Sequence, residues 1–384
     1  MTAILFITCM PLETPRSASM AFMSVLLEKY PDLFSWYSLR PTISEMDNSF
    51  EIPYAASRRF RWLTRFPQLK NMIQYFPWAW QQGRKAADFG RSHGIKVVLA
   101  DLAFEAVIAG RVAAQTLGVP LLTMVHDDPI NRLRVKHIPA WFLRWYTDQF
   151  ARVLSLSRQT AVISDYMGEI YQERYGAKTV TLFPGVDPAD CLLPRLLDSA
   201  KAPIVIGSVG SVTSVANWNI LLDAVQQLNQ RYGTGKFRIL HLGVPPKNLP
   251  LSQDVEVTGW LPAKEFAHAL GRIDVGFLTW DFSPELADIR RMSFPLKISS
   301  YLQAQVPMLA LGTDDSTVVR FVRNYSCGTA CTSPDAEVLA GHIESVVFGK
   351  NNYQTSLQGV IALKNIFSRA AFFERFEKFI QSSN

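Results

Sequence analysis

Lys297 stands where a lysine is disfavoured. In "FPLKISSYLQAQVPMLALG" (294–312), Pro295 suits a first helical position, because its missing N–H would be unpaired there anyway. Ser293 precedes it as a candidate cap. Leu296, Ile298, Tyr301 and Leu302 then space a short helix that stops before Pro307. Lys297 falls in the first turn, where free N–H groups and the helix dipole favour anions over cations. Arg290 and Arg291 lie just upstream. Two readings fit these residues. Lys297 is a solvated side chain on a surface helix, or the helix mouth is built to meet an anion such as a diphosphate. Ser300, three residues on, shares the helix face with Lys297 and could meet a neighbouring hydroxyl.

A second stretch bears on the choice. "IGSVGSV" (206–212) follows an apolar run and precedes the helical pattern "NWNILLDAVQQLNQ" (217–230). Gly207 and Gly210 allow a tight turn and close approach of backbone to a ligand. The spacing is neither GxGxxG nor GxxxxGK[ST], so it serves packing as readily as binding. His126 ends another apolar run, "PLLTMVH" (120–126), and is either a packed strand-end residue or a ligand contact. Cys327 and Cys331 are four apart with no second ligand pair nearby, so no zinc site and no bound metal is expected. Four cysteines do not make a disulfide framework.

These residues need strands and helices to hold them, and the chain supplies both in alternation. In the first half the strand patterns are 3–8, 34–39, 95–100, 120–126, 160–164 and 179–183. In the second they are 203–210, 237–243, 255–260, 275–279, 307–312 and 328–332. They are near-continuous apolar runs, as in a parallel sheet covered on both faces. The fold class is therefore α/β: two Rossmann-like doubly wound parallel-sheet domains. Ligands bind outside the carboxyl ends of such strands, so two domains facing a cleft are expected. The expected boundaries are 1–188 for the first domain, 189–202 for a proline-bearing linker and 203–365 for the second. Residues 366–384 form a terminal helix.

Composition bounds the partners. Of 384 residues, 48% are hydrophobic and 19% charged, which is globular rather than disordered. The net charge of +6 and pI of about 9.1 favour anionic partners. No nucleic-acid-binding module is present, so nucleic acid is not an expected partner. No run approaches the ~18–20 apolar residues that cross a bilayer. The start "MTAILFITCMPLETP" lacks a basic n-region and a cleavage site, and a cytoplasmic location is expected. Residues 56–80 carry five Arg or Lys before Met72 among large aromatics. The segment is a helical flap with a solvated basic face, or a surface for anionic lipid. Residues 132–145, "RLRVKHIPAWFLRW", repeat that composition.

Several blocks resemble the donor domain of GT-B glycosyltransferases, in particular the large retaining family four and its relatives. They are "IGSVGSV…NWNILLDAV", "VEVTGWLPAKEFAHAL", "ADIRRMSFPLKISSYLQAQVPMLALG" and "RFVRNYSCGTACTSPDAEVLAGHI". Around the donor helix the family reads P-L-K-x-x-E-Y-L-A-x-G-x-P. This chain has Pro295, Leu296, Lys297, Tyr301, Leu302 and Pro307 in register. The first half is similar through "MVHDDP" (124–129), "AVISDYM" (161–167) and "TLFPGVDP" (181–188). "FSRAAFFERFEKFI" (367–380) is similar to the family's terminal helix, which packs back on the N-terminal domain.

The resemblance implies transfer of a sugar from a nucleotide-sugar, as co-substrate, to a hydroxyl of a saccharide or polyprenol-linked acceptor, with retention and no metal or other cofactor. It implies that Lys297 with Arg290 or Arg291 holds the donor diphosphate, beside the backbone of Gly210 and Ser211. Gly259, Trp260 and Leu261 would flank the base. His126 would meet the transferred sugar, and Ser17 and Ser19 would line the acceptor side. It also implies work at the inner face of the membrane. The chain departs from the pattern where the ribose-binding glutamate falls at Ser300 and a carboxylate of many members falls at Met292. The first loop (8–22) lacks paired glycines, and "VTSVANWN" (212–219) carries no basic residue. Those departures leave a second reading, a degenerate GT-B protein that binds a nucleotide or partner without catalysis. A sugar-nucleotide epimerase would need further cleft carboxylates that the sequence does not offer.

Overall fold

The computed structural model describes residues 3–9, 18–39, 67–135, 138–198, 200, 203–349 and 351–383, with backbone only at 18–21, 67–74 and 135. The chain divides into two compact units, Met1–Phe183 with Phe373–Asn384, and Pro184–Phe372.

In the first unit, β1 (Ile4–Thr8), β2 (Phe34–Ser38), β3 (Val97–Asp101), β4 (Leu121–Val125), β5 (Thr160–Val162) and β6 (Thr179–Thr181) form one sheet of order β2-β1-β3-β4-β5-β6. Every pairing in it is parallel. Strands β1, β3 and β4 are buried at all five positions, which is why they read as unbroken apolar runs. The connecting helices are α1 (Ala18–Lys29), α2 (Pro67–Ser92), α3 (Ala106–Leu117), α4 (Pro129–Val135), α5 (Ala140–Leu156) and α6 (Asp165–Tyr175). Local chemistry sets their ends. Ser164 accepts a hydrogen bond from Met167 N–H to cap α6, and Gly176 closes it at φ +63°.

The second unit repeats the plan. Strands β7 (Ile204–Val209), β8 (Phe237–Leu242), β9 (Val255–Val257), β10 (Val275–Thr279), β11 (Met308–Leu311) and β12 (Gly328–Cys331) pair in the order β12-β11-β10-β7-β8-β9, all parallel. Between and after them run α7 (Val215–Tyr232), α8 (Ala263–Leu270), α9 (Ala287–Met292), α10 (Lys297–Ala304), α11 (Thr317–Asn324), α12 (Ala336–Phe348), α13 (Asn352–Ile366) and α14 (Arg369–Gln381). One core packs α7 and α12 on the sheet through Trp218, Leu221, Phe237, Ile239, Leu339 and Ile343.

Three details differ from the sequence expectation. Residues 184–198 do not hang free. Leu192 N–H donates to Gln303 O, and Arg195 bonds Asp274 at 2.7 Å and Ile273 O at 3.0 Å, all within the second unit. The α-helix carrying Lys297 begins at Lys297 rather than Pro295, and Leu296, not Ser293, stands before it without a side-chain cap. Ser293 ends α9, and its carbonyl accepts from Thr317 Oγ1 at 2.6 Å. Of segment 56–80, residues 56–66 lie outside the described residues, and 67–80 open the long helix α2.

From Phe373 onward the terminal helix α14 is part of the first unit. Tyr30 Oη donates to Glu377 Oε1 at 2.6 Å, and Phe376 packs on Tyr30 and Phe34.

Candidate functional site

Each sheet has one point where the strand order reverses: between β1 and β3 in the first, between β7 and β10 in the second. Crevices outside the carboxyl ends of such strands are the usual ligand sites of this architecture. The residues with chemistry gather at both points.

In the second unit, β7 is followed by Gly210, whose φ of +74° a glycine adopts without strain. Gly243, after β8, comes so close that an added Cβ would sit 2.7 Å from Gly210 O. The loop beyond Gly210 is tied across to the end of β10. Ser214 caps α7 through Asn217 N–H and donates to Asp281 at 2.6 Å. Asn217 Nδ2 bonds Thr279 Oγ1 and Trp280 O, the latter at 2.9 Å. Burial works against the Asp281 anion, but the bonds from Ser214 and Ser283 outweigh it and lower its pKa.

Lys297 reaches this loop: Nζ donates to Ser211 O at 3.3 Å. Gly210 and Ser211 are exposed, and the hydroxyl of Ser300, a half-buried residue, forms no hydrogen bond with the described residues. Lys297 keeps partial access to solvent, yet desolvation lowers its pKa from 10.5 to about 8. No carboxylate pairs with it among the described residues. A dehydrated ammonium beside a main-chain loop at a strand-order reversal is suited to an anion.

The two arginines have other partners. Arg290 is buried and bonds Ser283 O at 2.7 Å and Asp315 Oδ1 at 3.3 Å, while Arg291 takes Asp315 Oδ2. Burial opposes the Asp315 charge, but Thr313, Arg291 and Arg290 prevail and hold its pKa at about 2. The structure thus joins Lys297 to Ser211 and commits Arg290 and Arg291 to Asp315. Met292 is fully buried, so no polar group replaces the carboxylate of the family pattern at that position. Gly259 (φ +70°), Trp260 and Leu261 follow β9, and Trp260 is 74% exposed at the sheet edge.

Sequence reasoning missed His241. It lies fully buried in β8, its Nδ1 3.2 Å from Ser208 Oγ, while Nε2 has no partner among the described residues. Burial first, and the Lys297 charge second, lower its pKa. A lone polar residue inside the strand "FRILHLG" was the available signal.

In the first unit, Thr8 ends β1 and Asp101 ends β3, and they bond at 3.1 Å across the reversal point. Burial raises the Asp101 pKa, against the pull of His126 and of the Thr8 hydroxyl. His126 follows β4 directly, with Phe22 edge-on at 4.8 Å and its buried Nε2 without a partner among the described residues. Asp101 also escaped the sequence reading, although an acid ending "IKVVLAD" marked it. Ser17 lies outside the described residues, and of Ser19 only the backbone is described.

Two six-stranded parallel sheets with flanking helices make the fold that of GT-B glycosyltransferases. A family model described as Glycosyltransferase Family 4 matches residues 46–190, on the half whose sequence resemblance was the weaker. Among similar solved structures is a glycosyltransferase from Rickettsia africae, with a TM-score of 0.65, 14% identity, and 99% of this chain and 98% of that one covered. HepE from Anabaena, solved in complex with UDP-glucose, has a TM-score of 0.64 and 14% identity, with both chains covered in full. Sucrose-phosphate synthase from Thermosynechococcus elongatus has a TM-score of 0.64 and 12% identity, covering 99% and 98%. No curated protein matches the chain.

The depressed lysine has a consequence for stability. Between pH 8 and 10.5 the unfolded chain holds the Lys297 proton and the folded protein does not, so folding stability from this group rises as pH rises across that window. Urea midpoints measured from pH 7 to 10 should therefore climb more steeply in wild type than in Lys297→Met. Parallel curves would contradict the desolvated environment.

Proposed function

We propose that the protein is a glycosyltransferase that moves a sugar from a nucleotide-sugar donor to a hydroxyl acceptor, a saccharide or a lipid-linked saccharide. The observation that carries this reading is the placement of Lys297 on the Ser211 carbonyl, at the strand-order reversal of the second sheet. The fold and the family match on residues 46–190 support the class.

In this reading the second unit takes the donor. The Lys297 ammonium meets the diphosphate, and its charge stabilises the negative charge that builds on the leaving group. An incoming diphosphate also favours the protonated lysine, so binding and protonation reinforce each other. The backbone at Gly210 and Ser211 approaches the phosphates closely because no side chain intervenes at Gly210. Trp260 offers an exposed ring for the base, and Ser300 a hydroxyl for the ribose, weaker than the carboxylate of the family pattern by ~1 kcal/mol. Arg290 and Arg291 act through Asp315, holding the α9 segment rather than the phosphates. The first unit contributes His126, which meets the transferred sugar through Nε2. The proposal keeps retention of configuration, with the acceptor proton passing to the leaving phosphate. It requires no metal, which turnover in the presence of a chelator tests.

Met292 favours a second reading. With that position apolar and Ser300 uncharged, the chain could hold a nucleotide without turning it over. A donor screen separates the two. Thermal shift and sugar release are measured with UDP-, GDP-, ADP- and dTDP-sugars for wild type and Lys297→Ala. The transferase reading expects stabilisation and slow release with one donor, both reduced at least tenfold in the variant. Binding without release, with acceptors added, supports the non-catalytic protein. Equal behaviour of wild type and variant removes Lys297 from the site.

We also propose an anionic membrane surface as partner, through residues 56–80. No helix among the described residues is long and apolar enough to cross a membrane. On α2 and α5 the rings of Phe76, Trp80 and Trp141 are exposed, with Arg84 over Trp80 at 5.1 Å. Aromatic rings beside cations suit the bilayer interface. Sedimentation with anionic liposomes should fall when salt is raised, and absence of binding at low salt would reject this partner.

A further inference from the structure

The end of the first sheet away from His126 carries its own feature. A cavity of about 200 Å³ opens where β4 begins, lined by Arg111, Gln115, Pro120, Leu121, Leu156 and Arg158. Arg111 projects from the middle of α3 and is only 9% exposed. Among the described residues its guanidinium has one partner, the neutral Oε1 of Gln149, which accepts from Nη2 at 3.0 Å. Burial lowers the Arg111 pKa, and the charge of Arg152 pushes the same way. Among the described residues no carboxylate pairs with Arg111, Arg152 or Arg158.

That arrangement is suited to an anion. The guanidinium lines an open cavity, and one amide oxygen satisfies a single one of its five N–H donors, which leaves the others to water or to an incoming anion. A second cation nearby adds repulsion. Nor are these arginines caps of α3. The Gly118 and Val119 N–H groups return to Ala114 O, and Arg91 takes Thr116 O. A planar guanidinium fork matches a tetrahedral oxyanion with two parallel bonds.

We infer that this cavity binds a small phosphate-bearing molecule. Arg111 grips the phosphate from inside and Arg158 from the rim, while Leu121 and Leu156 contact the carbon skeleton and Gln115 a hydroxyl. The volume is below the ~300 Å³ at which pockets for drug-sized ligands begin, which suits a phosphorylated metabolite rather than a lipid. The cavity lies at the end of β4 opposite His126, and the inference does not depend on the function proposed above.

Isothermal titration calorimetry on the full chain tests it, with inorganic phosphate and glucose 6-phosphate as probes. The inference expects saturable binding of at least one probe, weakened tenfold or more in Arg111→Gln and in Arg158→Ala and kept in Lys297→Ala. UDP affinity should stay the same in both arginine variants. Arg158 is exposed, so its variant decides the matter if Arg111→Gln does not fold. No saturable binding by wild type overturns the inference, as does binding lost only in Lys297→Ala. Vesicles rich in phosphatidic acid form the remaining arm. Sedimentation that depends on Arg158, without binding of the soluble probes, assigns the arginines to lipid and overturns the small-molecule site.

Discussion

Tyr301 is the contact on which the rest of the second unit's site depends. Its ring is fully buried, and its hydroxyl lies 2.9 Å from both Gly207 O on β7 and Phe277 O on β10. These strands flank the reversal of strand order. The ring fits only because Gly276 has no side chain; a Cβ there would come within 2.4 Å of it. The contact locks α10 onto the sheet one turn after its first residue, and that fixes where Lys297 emerges. A hydroxyl shared between two buried carbonyls resists sliding in a way that apolar packing alone does not.

Charge is distributed around that anchor with a clear division. Asp315 gathers Arg290 and Arg291, leaving both guanidiniums in a local network with Ser283 and Thr313. Lys297 receives no such counterion among the described residues, only the Ser211 carbonyl. Burial, and then the Lys297 charge, lower the pKa of the neighbouring His241, so it adds no second positive charge near neutral pH. The lysine is thus the available cation of the loop, and its lowered pKa is the cost of keeping it so. The first unit mirrors this in a different chemistry, with Thr8, Asp101 and His126 at the ends of three adjacent strands.

Much of the fold was legible because buried parallel strands cannot hide. All twelve apolar runs became strands, with ends moved by a few residues, and "VGFLT" kept its bounds. The ends of α6 carry their own signals, since Ser164 and Gly176 punctuate it from both sides. Helix starts without caps were less readable. Pro295 suggested a start two residues early, because proline tolerates but does not impose the first position. The link between Lys297 and the glycine turn followed from pattern, whereas the capture of both arginines by Asp315 did not. That acid lies 24 and 25 residues downstream, and only the packing of α11's loop on α9 brings them together. His241 and Asp101 were invisible for a related reason. A single polar residue in an apolar strand acquires meaning from its neighbours across the sheet, and spacing along one strand does not supply them.

The most direct measurement is the titration of the Lys297 side chain itself. Its Cε signals, assigned by comparison with Lys297→Arg, are followed by NMR against pH in the free protein and with UDP at saturation. The account predicts a pKa near 8 in the free protein. On binding it should rise by about one unit or more, each unit being ~1.4 kcal/mol of preference for the charged lysine. An unchanged titration with the nucleotide bound would contradict it, and would leave Lys297 holding its own loop and nothing else.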